Sequence, residues 1–198
     1  QDDGGPQTTN PNPSVSSTVA VTPVNDAPTI TGTGASQDFK EGNATGALFS
    51  SADISTVESG QEIEKLTFTV SNVTDGDTAG AAEVIRFDGT DIKLEGGSTG
   101  ETKTNKLSYA VSRSNDNTAT VTISGAKSPG VYQSVINGMT YDNTSEDPTA
   151  ANPRVVTLTS LQDTGGGNDT ATASIESTVT VTAVNDAPVV DLNGGDAA

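Results

Sequence analysis

Residues 17–28 have the sequence STVAVTPVNDAP, and residues 177–188 repeat it as STVTVTAVNDAP, with only two substitutions. In the first half of each copy, Val alternates with small or polar residues. This period of two is typical of a half-buried strand whose Val side chains face a core. Pro28 then fixes φ and removes a backbone donor, so the strand ladder ends and the chain stiffens. Each copy therefore predicts a strand that runs into a stiff link with the sequence VNDAP.

This repeat sets the predicted domain boundaries, because self-similarity at a fixed spacing is typical of tandem modules. We expect residues 1–24 to be the C-terminal strand region of a preceding repeat and residues 25–186 to be one complete repeat. Residues 187–198 then begin the following repeat or a linker. The chain is thus interpreted as a piece of a longer protein. Its first 24 residues either trail loosely or pair with a sheet edge of this repeat or another molecule.

The complete repeat favours strands over helices almost throughout. Predicted strands lie at residues 18–24, 66–70, 119–123, 155–161 and 174–181, separated by Gly- and Asp-rich turns. Residues 87–94 predict a hairpin, and residues 131–139 have the apolar spacing of one short helix. Many short strands with turns at this spacing predict an all-β, antiparallel β-sandwich with one short helix.

Charge and composition narrow the range of functions expected for this chain. The 26 acidic residues outnumber the nine basic ones and give a net charge of −17. Such acidity argues against binding to nucleic acid or to anionic membrane surfaces. It favours hard cations, because calcium binds carboxylate and carbonyl oxygens. Hydrophobic residues make up only 31% of the chain, so the core is thin and bound ions would assist folding.

The chain contains neither Cys nor His. Disulfides and thiolate metal sites are therefore impossible, and the commonest general base is missing. No ordinary nucleophile–base pair is possible without these residues, so we expect no enzymatic activity. Paired carboxylates acting in a glycoside hydrolase are the enzyme alternative that stays open.

The two VNDAP links belong to a wider pattern that includes ESGQ at residues 58–61, YDNTSEDP at 141–148 and RVVTLT at 154–159. Together these motifs resemble the cadherin-like tandem repeats of giant RTX-type bacterial adhesins. The resemblance implies an Ig-like or cadherin-like β-sandwich, secreted to the bacterial cell surface, in a row of modules stiffened by calcium at each junction. Glu58 departs from the pattern, since Asp is usual there, and the repeat is longer than a typical cadherin module.

The role implied by this resemblance is that of a structural extender in cell adhesion and biofilm formation. Its partners are adjacent repeats of the same polypeptide, and other domains of the adhesin contact host or surface glycans or proteins. No nucleic-acid partner and no direct membrane insertion are expected. The alternative is a ligand-binding module that recognises carbohydrate or peptide through insertions at residues 79–83 and 96–105.

Strand direction sorts the candidate calcium ligands into two poles. The chain begins the repeat at Pro28, and the strand before the last one ends near Asp163. Asn25, Asp26 and Asp163 are therefore expected together at the N-terminal pole, with Glu58 in a nearby turn. Asp53 is a weaker candidate at that pole. Magnesium fits such sites less well than calcium, because it demands stricter geometry.

The C-terminal pole is predicted by the same reasoning. Glu41 lies beyond the first strand and faces Asn185 and Asp186 of the second link. Weaker candidates come from the loop before residue 154, namely Asp142, Glu146 and Asp147. Calcium needs about six to eight oxygen ligands. We therefore expect incomplete coordination at each pole, because neighbouring repeats contribute the rest.

Overall fold

Strands dominate the part of the chain that the structure, a computed structural model, describes: residues 4–5, 16–75, 83–114 and 116–187. In chain order the elements are β1 (Thr29–Gly34), β2 (Ser36–Lys40), β3 (Phe49–Ser55), β4 (Ile63–Ser71), β5 (Glu83–Phe87), β6 (Thr90–Lys93), β7 (Thr99–Glu101), β8 (Ser108–Arg113), β9 (Ala119–Lys127), α1 (Pro129–Asn137), β10 (Thr140–Asn143), β11 (Arg154–Asp163) and β12 (Thr170–Thr182). Within these residues, no helix has the length and apolar character that a membrane crossing requires.

One large sheet faces two smaller ones. The large sheet has the strand order β2-β12-β11-β4-β9-β8-β7, and the smaller sheets have the orders β1-β3 and β10-β5-β6. Strand β2 runs parallel to β12, whereas the other pairs are antiparallel. Aromatic contacts join the layers: the ring centroids of Phe68 and Phe87 lie 6.3 Å apart, and those of Phe39 and Tyr141 lie 5.5 Å apart.

The core lies between these layers and follows from residue alternation. In β4, the side chains of Leu66, Phe68 and Val70 are fully buried, while the Thr residues between them are partly exposed. This arrangement agrees with the expectation that Thr side chains lie on the solvent-facing side of a strand and apolar side chains such as Val on the core-facing side. Strands account for 49% of the structure and helix for 5%, so the predicted all-β sandwich with one short helix is confirmed.

Most predicted elements are present with small shifts in their ends. The hairpin predicted at residues 87–94 is the β5–β6 pair, which turns at Asp88 and Gly89. The helix predicted at residues 131–139 is α1, which begins two residues earlier because Pro129 suits the first helical turn. Gly138 ends the helix as its C-cap.

The strand predicted at residues 18–24 is not formed. Val19 and Val21 are 79% and 84% exposed, whereas the equivalent Val179 and Val181 are buried in β12. The physical reason is pairing, since β12 lies between β11 and β2 and no described strand flanks residues 18–24. The predicted flanking segments, residues 1–24 and 187–198, fall mostly on residues 1–3, 6–15 and 188–198, which lie outside the described residues.

Candidate cation sites at the two poles

The N-terminal site is formed around the first link by Asn25, Asp26, Glu58, Gln61 and Asp163. The Asn25 side chain donates from Nδ2 to Asp163 Oδ1 at 3.3 Å and to the Asn168 carbonyl at 2.8 Å. Gln61 Nε2 donates to Asn25 Oδ1 at 2.6 Å, and the Asp26 N–H donates to Glu58 Oε1 at 3.0 Å. Two segments that are distant in sequence, residues 58–61 and 163–168, thus converge on one dipeptide.

Unpartnered oxygens mark the N-terminal site. Four buried side-chain oxygens in the described part of the chain have no hydrogen-bond partner, and three belong to this site: Glu58 Oε2, Gln61 Oε1 and Asp163 Oδ2. Asp163 is fully buried. Each of the three side chains uses its other terminal atom to hold Asn25 or Asp26. A buried polar atom without a partner is costly, more so when it carries charge, so the arrangement calls for a ligand.

Local backbone geometry places Glu58 at this site. Val57 has φ +66° and Gly60 has φ +87°, so the chain turns sharply on both sides of Glu58. The Glu58 N–H bonds back to the Thr56 carbonyl at 2.7 Å, which closes a tight three-residue turn around Val57. Positive φ is unfavourable for a β-branched residue, and such strain is concentrated at functional sites.

The loop after β11 holds the other side of the link. Asp163 is the last residue of β11, and its Oδ1 also accepts a hydrogen bond from the Gly165 N–H at 2.9 Å. A Cβ at Gly165 would lie 1.9 Å from Asn25 Oδ1, so only glycine permits this close approach. An open cavity of about 490 Å³ adjoins the link and is lined by Asn25, Glu58, Gln61 and Gly165, among others.

The C-terminal site is more exposed. Carboxylate oxygens of Glu41, Glu146 and Asp186 all lie within 4.8 Å of one another, and the last two residues are exposed. They line an open cavity of about 500 Å³ that Asp142 also borders. Three like charges at this spacing repel each other unless a cation lies between them.

At both poles a carboxylate of the sandwich accepts a backbone N–H of the link, although the two link residues are not equivalent. At the N-terminal pole, Glu58 Oε1 accepts the Asp26 N–H at 3.0 Å. At the C-terminal pole, Glu41 Oε2 accepts the Val184 N–H at 2.7 Å. In each case a carboxylate of the sandwich binds the backbone of a link through one oxygen.

The remaining predicted ligands differ in their exposure and in the contacts that they make. Asp26 is exposed and contributes its backbone to the site, and Asn185 is exposed with its side chain bonded to the Asp186 carbonyl at 3.0 Å. Asp53 accepts a hydrogen bond from Gln133 of α1 at 3.0 Å. Asp147 is exposed and does not border the C-terminal cavity.

Sequence reasoning missed Gln61. The sequence feature that could have identified Gln61 as a site residue is its position in the ESGQ motif, three residues after Glu58. The insertion predicted at residues 79–83 lies outside the described residues except for Glu83. The other insertion, residues 96–105, contains β7 and a loop that Asp88 fixes by accepting from Thr102 Oγ1 at 2.5 Å and Asn105 Nδ2 at 2.6 Å.

A buried ion cluster supports the loop of the C-terminal site, residues 144–153. Arg154, 1% exposed, donates to Glu83 Oε1 at 2.9 Å and to Asp75 Oδ2 at 3.2 Å. Asp75 also accepts from Asn143 Nδ2 at 2.8 Å and Thr149 Oγ1 at 2.6 Å, so it holds both ends of the loop. Burial opposes ionisation of Asp75, but the bonds from Thr149 and Asn143 and the Arg154 charge outweigh it and lower its pKa.

Comparison of the chain with protein-family models, curated proteins and solved structures gave no significant match. The class that the structure defines is therefore an all-β sandwich with an acid-rich site at each of its two links.

Proposed function

We propose that this chain is a calcium-stabilised structural repeat of a large secreted bacterial surface adhesin. It is an Ig-like or cadherin-like extender module that supports cell adhesion and biofilm formation. The observation that carries the proposal is the set of three buried, unpartnered oxygens, on Glu58, Gln61 and Asp163, grouped around the Asn25–Asp26 link.

The chemistry of this set favours a cation over water. Water can donate hydrogens to such oxygens but supplies no positive charge to balance Glu58 and Asp163. A cation bound beside the link would accept electron pairs from these oxygens and offset the two carboxylate charges. Carboxylate and amide oxygens in an irregular arrangement suit calcium, which tolerates variable geometry better than magnesium does.

The position of the sites favours a structural role. Both sites include a VNDAP link, and at both a carboxylate of the sandwich binds the link backbone. A cation at either pole therefore ties a link to the sandwich and restricts the angle between successive modules. Adjacent repeats of the same polypeptide are the partners that such links require.

Calcium titration of the full chain tests the proposal. At 100 times its Kd, calcium stabilises the native state by about 2.7 kcal/mol, which raises the melting temperature by about 5–10 °C. Glu58→Gln keeps an acceptor for the Asp26 N–H but directs an amide at the site, so most of this rise is lost. Glu62→Gln, an identical charge change at an exposed neighbour, leaves the rise intact. A wild-type chain that shows neither binding heat nor a shifted melt would contradict the proposal.

A further inference from the structure

The side-chain amides of Asn25 and Gln61 form a hydrogen-bonded relay with only one favourable direction. It begins at two groups that only accept, Asp163 Oδ1 and the Asn168 carbonyl, at 3.3 Å and 2.8 Å from Asn25 Nδ2. These acceptors fix the Asn25 amide with its nitrogen towards them, because a flipped amide would set oxygen against oxygen. Asn25 Oδ1 must then face Gln61.

The direction continues through Gln61. Because Asn25 presents an oxygen, Gln61 must present its Nε2, and the two atoms lie 2.6 Å apart. Gln61 Oε1 is consequently directed away from Asn25, where it is buried without a partner like Glu58 Oε2 and Asp163 Oδ2. Reversing the Gln61 amide to relieve this oxygen would break the bond to Asn25.

From this relay we infer that Gln61 couples cation occupancy to the orientation of the first link, an inference that rests on the proposed function. Its Oε1 binds the cation and its Nε2 holds the Asn25 side chain. Glu58 and Asp163 cannot replace it, since ionised carboxylates have no hydrogen to donate to Asn25 Oδ1. A bound cation fixes the Gln61 amide plane and draws electron density from it, which strengthens the hydrogen bond that Nε2 donates to Asn25 Oδ1.

Gln61→Glu separates the two roles of this side chain. The variant keeps an oxygen for the cation and adds a negative charge, so calcium affinity stays equal or rises, by up to about tenfold for a gain of 1.4 kcal/mol. The donor to Asn25 is lost, and an oxygen then faces Asn25 Oδ1. Calcium therefore binds without ordering the link.

The measurement uses the full chain, whose lack of cysteine permits a single label. A nitroxide on Thr18→Cys reports the mobility of the segment beside the link, and isothermal titration with calcium alone reports occupancy. In the wild-type background, calcium immobilises the label. In Gln61→Glu it binds but leaves the label mobile, and in Gln61→Met the affinity falls about tenfold, for a loss of about 1.4 kcal/mol.

A second variant removes the receiving end of the relay. Asn25→Ala leaves all three unpartnered oxygens in place, so calcium still binds while the label stays mobile at saturation. Because coupling is reciprocal, calcium affinity falls by the factor with which calcium favours the ordered link, up to about tenfold for 1.4 kcal/mol. Exposed Glu62→Gln is the matched control and behaves like the wild type in both measurements. Calcium-induced immobilisation in Gln61→Glu, or unchanged affinity in Gln61→Met, would overturn the coupling role alone. Absence of binding in the wild type would overturn the proposed function along with it.

Discussion

Asp163 binds Asn25 across 138 positions of sequence: its Oδ1 accepts the Asn25 amide at 3.3 Å, while its Oδ2 is buried without a partner. One carboxylate thus joins the end of β11 to the first link and still has an oxygen available. The side chain of Asp163 is thus divided between holding the link and presenting an unpartnered oxygen to the N-terminal site.

Asp163→Asn should have opposite effects without and with calcium. Without calcium, the new amide keeps an acceptor for Asn25 and removes a buried charge that has no partner, so the free energy of unfolding rises by about 1–2 kcal/mol. With calcium, the variant gains little further stability. Urea denaturation with calcium and with chelator measures both effects.

The matched control is Asp169→Asn, in the same loop and with the same charge change. Asp169 already has partners in Gln162 and Thr170, so its substitution brings no gain in chelator and leaves the calcium response in place. Equal behaviour of the two variants would show that general charge repulsion, and not the unpaired Oδ2, dominates.

Gly165→Ala should displace the first link. The added Cβ would lie 1.9 Å from Asn25 Oδ1 and 2.6 Å from Gln61 Nε2, and neither contact is tolerable. The link can move into solvent, so we expect the fold to lose less than about 1 kcal/mol while calcium affinity falls about tenfold. Gly130→Ala is the control, since no atom lies closer than 3.9 Å to its added Cβ. Calorimetric titration with calcium distinguishes the two variants.

Two classes of binding site should be separable in one titration. The N-terminal site is partly buried, whereas Glu146 and Asp186 of the C-terminal site are exposed. Cation binding at the exposed site costs less desolvation energy, but the attraction between the cation and the carboxylates is also weaker there. We expect the N-terminal site to fill first. Glu58→Gln should remove the tighter phase and Glu146→Gln the weaker one, each leaving the other phase unchanged. If one substitution abolished both phases, the sites would not be independent.

Acid should weaken the loop of the C-terminal site through Asp75. Folding lowers the pKa of Asp75, so the folded protein binds this proton less readily than the unfolded chain. The ionised group therefore stabilises the fold at neutral pH, and that stabilisation is lost as pH falls below about 4 and through the lowered pKa. Stability measured from pH 7 to 3 should decline less steeply below pH 4 in Asp75→Asn than in the wild type. Parallel curves would exclude this carboxylate as the source.

The sequence predicted the fold and the two poles because both follow from strand patterns. Alternation located β4, β9, β11 and β12, and strand direction brought Asn25 to Asp163 and Glu41 to the second link. Residues 18–24 show the limit of alternation, since a strand forms only where neighbouring strands supply hydrogen bonds.

Ligand geometry could not be predicted in the same way. Gln61 carries no charge, and it can act as a cation ligand only if its amide oxygen faces the site. Three-dimensional contacts, here the hydrogen bond from Nε2 to Asn25, decide which amide atom does so. The contact of Asp53 with Gln133 of α1 could not be predicted either, because strand pairing alone does not show which helix residue lies over β3. The burial of Asp75 and Glu83 beside Arg154 was also unpredictable, because it depends on contacts between segments that are distant in sequence.

The parallel pairing of β2 with β12 has a mechanical consequence. Five residue pairs join these strands, from Ser36 with Thr178 to Lys40 with Thr182. The chain runs into β1 and β2 from the first link and leaves β12 towards the second, so tension applied between the two links would pull β2 and β12 in opposite directions. The hydrogen bonds between them are then loaded in shear and must yield together instead of opening one at a time. Such a sandwich resists stretching along its long axis far better than peeling at its edges.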